Sequence, residues 1–223
     1  MSWFSRVTLL ASPRGEGDNL RNLRVHPYRQ HQALWRMFEC PEGTPQPFLF
    51  RQLPDEDGGV LRFLVVSRER PREIPGWRVE CKPYEPKLRE GDLYRFDIRL
   101  NPTRTEASPD GRGKRQDYVM SRLHQLQVSP GRRAAERQRV VHEELPEWLR
   151  RRGERNGFAI ESCQVGRYEI LRMQKGRHAI TLGVAVFGGI LRVEDPERLT
   201  TTLLDGLGHG RSFGLGLLLL KPC

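Results

Sequence analysis

Asp205-Gly206-Leu207-Gly208-His209-Gly210-Arg211-Ser212-Phe213-Gly214-Leu215-Gly216 runs into Leu217-Leu218-Leu219-Leu220 at the end of a 223-residue chain. Just before it, Asp195-Pro196-Glu197 supplies a cap, a proline and an acidic first turn, so a helix is expected from there to about Leu207. The order is therefore helix, glycine loop, strand. Loops that cradle dinucleotide or ATP phosphates run the opposite way, from a strand through glycines into a helix amino end. That excludes a Rossmann or P-loop reading of this loop. Five glycines in eleven positions exceed what a single turn needs. Glycine permits close backbone approach to a ligand, so Gly208, His209, Gly210, Arg211 and Ser212 are candidate phosphate contacts.

Upstream, the pattern is rich in strands. Residues 5–11, 48–53, 60–67 and 77–84 read as strands, with a helix from His26-Pro27 to about Phe38 and a hairpin loop at 55–59. Residues 68–76 hold charge and prolines and leave little room for a helix. This half reads β-α-β-β-(short)-β, the ferredoxin-like order with a degenerate second helix. After a charged break at 87–91, residues 93–101 alternate cleanly, 103–114 read as a polar loop, and Pro146-Glu147-Trp148-Leu149 opens a helix. Strands follow at 158–163, 167–174 and 179–193, with a basic hairpin tip at Gln174-Lys175-Gly176-Arg177. The fold class expected is α+β, two tandem ferredoxin-like domains, spanning 1–88 and 92–223.

Basic residues outnumber acidic ones, 38 to 28, for a net charge of +10, and 33 of the 38 are arginine. Arginine forks suit phosphates and base edges, so nucleic acid is the leading partner class. The longest apolar stretch, 180–191, is too short to span a membrane, and the first residues lack the shape of a signal peptide. Cys40, Cys81, Cys163 and Cys223 form no CxxC pair and read as reduced cytosolic thiols, which implies a cytoplasmic location. His142-Glu143-Glu144-Leu145-Pro146 fails the HExxH pattern at its last position. No metal site and no cofactor are expected.

Tyr28, His31 and Trp35 are spaced i, i+3, i+7 and share one helix face. A histidine titrating near neutrality can accept a proton, and a tyrosine hydroxyl can donate one or orient a phosphate. Those are the parts for metal-free RNA cleavage, in which His31 deprotonates a ribose 2′-hydroxyl that attacks the adjacent phosphorus. The competing reading places both side chains at the edge of a core stripe formed by Leu34, Trp35 and Phe38.

Three segments, Tyr28-x-x-His31-x-x-Leu34-Trp35, Phe96-x-Ile98-Arg99-Leu100-Asn101-Pro102-Thr103 and Gly206 to Leu218, together resemble the CasE family of type I-E CRISPR repeat-processing endoribonucleases. The resemblance implies two facing ferredoxin-like domains and metal-free cleavage of a repeat stem-loop to 5′-hydroxyl and 2′,3′-cyclic phosphate ends. It also implies retention of the guide RNA within the Cascade surveillance complex, the protein being a monomer outside it. By the family pattern His31 is the general base and Tyr28 its partner. The resemblance does not extend to 68–76 or 103–117. Lys175 and Arg177, with Arg172 on the same ribbon, are expected on stem phosphates, because A-form RNA offers side chains shape and backbone more than base edges. Arg99 lies on the face opposite Ile98 and Leu100. The run 132–155, eight arginines against five glutamates, reads as a solvated face. The alternative function is a non-catalytic RNA-binding scaffold of the same superfamily.

Overall fold

A computed structural model describes residues 1–10, 23–41, 43–54, 60–106, 113–175 and 178–223, the side chains of Lys175 and His178 excepted. The chain divides into two compact units, residues 1–87 with 200–217, and 88–199 with 218–223.

In the first unit, β1 (Trp3–Leu9) is followed by α1 (Pro27–Trp35), β2 (Phe48–Gln52), β3 (Arg62–Ser67) and β4 (Trp77–Pro83). The sheet order is β2-β3-β1-β4, all pairs antiparallel, with Val7 opposite Phe63 on one side and Val79 on the other. This is the ferredoxin-like order. Residues 68–76 form bends and turns with no helix, as their prolines and charge dictate. Pro27 opens α1, where its missing N–H costs nothing. Leu34, Met37 and Phe38 bury their side chains against Phe48, Phe50, Phe63 and Val65 of the sheet. The hairpin loop expected at 55–59 lies outside the described residues.

The second unit repeats the order. Strand β5 (Leu93–Leu100) precedes a helical layer, then β8 (Phe158–Lys175), β9 (His178–Val193) and, after the last helix and the glycine loop, β10 (Leu219–Pro222). The order is β10-β5-β9-β8, again antiparallel throughout. The helical layer comprises α2 (Tyr118–Gln125), α3 (Arg133–Arg139), a π turn (Val140–Glu144) and α4 (Leu145–Arg155). Its Val119, Leu145, Trp148 and Leu149 are buried, as are Phe96, Ile98 and Leu100 of β5 and Phe187 of β9. Trp148 stacks on Phe187 at 6.0 Å and donates its indole N–H to the Thr103 carbonyl. The last helix, α5, spans Pro196–Asp205.

Three local readings are corrected. Residues 103–114 are not simply a loop. β6 (Thr103–Glu106) pairs with β7 (Lys114–Asp117), held by backbone bonds that need no apolar pattern. Helix α2 had no expectation, and Asp117 starts it by accepting a hydrogen bond from the Met120 amide. The strands expected at 158–163 and 167–174 are one long strand, with register shifts between Ile160/Ser162 and Val165/Arg167.

Candidate active site

Helix α1 carries Tyr28 and His31 one turn apart, and its first turn is pinned. Gln30, almost fully buried, donates to the carbonyls of Leu23 and Arg24 and to the Gln52 side chain on β2. A buried amide with its donors satisfied fixes the register of the helix over the sheet. It thereby also fixes its helix neighbours, Tyr28 and His31.

His31 is half-buried among aromatic rings. Its imidazole lies 5.6 Å from the Phe48 ring, 6.4 Å from Phe50 and 5.3 Å, edge-on, from Trp35. Tyr28 stacks over it, with centroids 5.9 Å apart and 25° between the planes. Nδ1 of His31 is buried. The competing reading holds for part of the stripe: Leu34 and Phe38 are core, while Tyr28 and His31 sit above it, neither fully enclosed.

The glycine segment packs in the same unit. Gly206, Gly208, Gly210, Gly214 and Gly216 all take positive φ, from 72° to 90°. Their number thus follows from backbone conformation, which L side chains adopt only with strain. Space adds to the demand at Gly216, where a Cβ would stand 2.7 Å from the Leu207 carbonyl, in a loop closed by the Leu207 N–H donating to the Gly216 carbonyl. Between Gly210 and Gly214, Arg211–Phe213 form one 3-10 turn. Its Phe213 ring lies 6.3 Å from Tyr28, and Ser212 donates to the Gln46 side chain. Asp205, at the end of α5, pairs with Arg68. His209 and Arg211 are exposed beside this turn, and the Arg211 guanidinium reaches the Gly206 carbonyl at 3.4 Å.

The structure thus gathers Tyr28, His31 and the segment 206–216 in one unit. Sequence reasoning missed Phe213, Gln46 and Gln30, which hold the cluster together. Gln30 had one usable signal, an amide at i−1 to His31 on the face turned toward the sheet.

The remaining candidates belong to the second unit. Arg99, on the face of β5 opposite Ile98, approaches Glu169 at 3.5 Å, and Glu169 also pairs with Arg167. Arg172 is exposed on β8. The ribbon pairs out to Lys175 opposite His178, but the Lys175 side chain and Arg177 lie outside the described residues. In the run 132–155, Arg139 contacts Glu136, Glu143 and Glu144, and Arg150 and Arg151 pair with Glu147. Much of that charge is internally compensated, as a solvated face would be. Among the described residues no group of three or more His, Cys, Asp or Glu stands ready to hold a metal ion, and no helix is long and apolar enough to cross a membrane.

Residues 2–222 match the family model described as CRISPR associated protein. The CRISPR-associated endoribonuclease Cse3 of Thermus thermophilus is 26% identical over 248 residues, covering 99% of this chain and all of that protein. The structure of Thermus thermophilus Cse3 bound to an RNA representing a pre-cleavage complex superposes with a TM-score of 0.71 at 25% identity, covering 99% of each chain. The crystal structure of Cas6e from Escherichia coli str. K-12 shares the fold, with a TM-score of 0.67 at 21% identity, over 99% of this chain and all of that one. The two ferredoxin-like sheets, the helix-borne Tyr28/His31 pair and the terminal glycine segment thus fall within a match that spans nearly the whole sequence, and the chain belongs to this family of CRISPR-associated proteins.

Proposed function

We propose that this protein is the endoribonuclease that processes CRISPR precursor RNA, cutting within the stem-loop of each repeat by attack of a ribose 2′-hydroxyl. The reading is carried by the stack of Tyr28 on His31, set beside a cationic glycine turn in the same unit. The full-length likeness to the endoribonuclease Cse3, and to its RNA-bound structure, supports it.

His31 accepts the 2′-hydroxyl proton on Nε2. The 2′-oxygen forms a bond to phosphorus, and the bond from phosphorus to the 5′-oxygen breaks. Tyr28 donates its hydroxyl proton to the departing 5′-oxygen and regains one from water. The products carry a 2′,3′-cyclic phosphate and a 5′-hydroxyl. The aromatic wall of Trp35, Phe48 and Phe50 holds the imidazole in one orientation, which is the positioning such a step requires. Arg211, Ser212 and the amides of Gly208, His209 and Gly210 supply donors for the phosphate oxygens. Arg172, Lys175 and Arg177 grip the stem, while Arg99 contributes positive charge on β5. Proton transfer between these groups needs no metal and no cofactor.

The cut guide RNA stays bound, and the protein carries it as a monomer into the Cascade surveillance complex. Two solved structures described as the CRISPR RNA-guided surveillance complex contain a chain of this fold. Four free thiols suit a reducing compartment, and the protein works in the cytoplasm.

A denaturing gel of a repeat stem-loop RNA incubated with the protein in EDTA tests the reading. One cut per repeat is expected. Binding without cleavage would identify the scaffold instead.

A further inference from the structure

In the second unit, a cavity of about 270 Å³ lies between the helical layer and β8. Arg137, Gln138, Val141 and His142 line it from α3 and the π turn, and Gly166 and Tyr168 from the bulged stretch of β8. The π turn and one of the two register shifts of β8 thus meet at one place. A π turn and a β-bulge each leave backbone bonding imperfect, and both recur at binding sites.

The chemistry of the lining is one-sided, for among the described residues no carboxylate lines the cavity. The Arg137 Nε is buried and makes no hydrogen bond among the described residues. Neighbouring charges are already committed. Asp117 accepts a hydrogen bond from the Tyr168 hydroxyl at 2.9 Å, Arg167 pairs with Glu169, and Arg139, two residues along the helix, is held by three glutamates. Arg137 thus differs from the compensated arginines around it. A guanidinium with a buried Nε and no carboxylate beside it in the lining is matched by an oxyanion. The Gln138 and His142 side chains, joined at 3.1 Å, add polar groups at the same rim. The volume sits just below the ~300 Å³ of ordinary small-molecule pockets, ample for a phosphate group.

We infer that this cavity is a phosphodiester site for the bound RNA strand, with Arg137 as its principal ligand. The assignment rests on the reading of the protein as an RNA-processing enzyme. Geometry favours RNA as the source of the phosphate. Tyr168 pairs with Ala185 and Arg172 with Thr181 in unbroken register, so the two share a strand face, about 13 Å apart. Ile170, Arg172 and Gln174 are exposed along that face. An RNA backbone gripped near the hairpin tip can follow β8 directly to the cavity.

The test compares Arg137→Gln with Arg133→Gln, a charge loss at an exposed position of the same helix. Melting temperature establishes that both fold. Arg137→Gln should bind repeat RNA about tenfold more weakly, as loss of a charged hydrogen-bonding partner does, and lower the slope of log affinity against log salt by about 0.7 to 0.9. Arg133→Gln should do much less. Single methylphosphonates scanned along the RNA should reveal one position that weakens wild type as much as Arg137→Gln does and adds nothing in that variant. Equal losses from the two substitutions, or additivity at every scanned phosphate, would overturn the assignment. Inorganic phosphate that stabilises wild type but not Arg137→Gln, with equal RNA affinities, would overturn RNA as the source. A wild-type protein that does not bind the repeat at all would instead bring down the functional reading.

Discussion

The Tyr28 ring lies over the His31 imidazole at 5.9 Å, one helical turn apart, with Phe213 of the terminal segment 6.3 Å from the same tyrosine. His31 from near the start of the chain and Phe213 from near its end thus both lie against Tyr28. Helix spacing alone sets the first contact, and packing of the glycine turn on α1 sets the second.

Replacing His31 with alanine is expected to lower the single-turnover cleavage rate by about two to four orders of magnitude, the size of a general acid–base contribution. RNA affinity should barely change, since an imidazole supplies few contacts. Tyr28→Phe should cost less, because water can replace the phenol as proton donor while the stacked ring stays. Quench-flow with trace RNA and excess protein measures both. A His31→Ala variant cutting at wild-type rate would make the residue merely part of the aromatic packing.

The terminal loop separates conformation from contact. Gly214→Ala and Gly216→Ala should lower the melting temperature, each straining a positive φ by about 1–2 kcal/mol. The added methyl meets Phe50 at 3.2 Å in the first and the Leu207 carbonyl at 2.7 Å in the second. Arg211→Ala leaves the backbone untouched and should spare the melting temperature while weakening RNA binding. Loss of stability without loss of affinity in Arg211→Ala would restrict the loop to a folding role.

The order of both sheets was legible because each strand's alternation and each break could be read locally. Leu93 to Leu100 is the clearest case, with Phe96, Ile98 and Leu100 buried. Strands β6 and β7 were not, since Thr103–Glu106 and Lys114–Asp117 carry no apolar alternation and pair through backbone bonds and a polar side-chain bond from Gln116 to Glu106. The unity of β8 was hidden by Ser162, Gln164 and Gly166, where the bulges throw polar residues out of phase. In the site, the shared face of Tyr28 and His31 followed from spacing. The bond from Ser212 to Gln46 joins residues 166 positions apart, and no local pattern announces it.

Burial holds the Asp117 carboxyl above the usual carboxylate range, although the Met120 and Val119 amides and the Tyr168 hydroxyl oppose the shift. The folded state then binds a proton that the unfolded state has released. Its contribution to stability is present below the ordinary carboxylate pKa of about 3.9 and is lost as pH rises through the raised folded value. Asp117→Asn keeps a capping oxygen and removes this titration. The stability difference between wild type and Asp117→Asn, from urea midpoints at pH 4 and pH 7, should shift against wild type at the higher pH. A shift in its favour would contradict the burial account.

The hairpin is expected to act through charge. Lys175→Ala/Arg177→Ala should weaken stem-loop binding and lower the salt slope by between one and two, at about 0.7 to 0.9 per contact. The loss should be similar for stems of different sequence, because backbone contacts carry no base code. Filter binding from low to high salt checks this. An unchanged slope would move the stem contacts to other arginines.

The central claim is that the nucleophile is the RNA's own 2′-hydroxyl, activated by His31. It is tested most directly by a repeat stem-loop with a single 2′-deoxy substitution on the nucleotide immediately upstream of the cut, assayed in EDTA. The account predicts wild-type affinity with no cleavage at that site, while the unmodified RNA yields 2′,3′-cyclic phosphate and 5′-hydroxyl ends. Cleavage of the deoxy substrate would mean that water attacks, and would contradict the mechanism built on Tyr28 and His31.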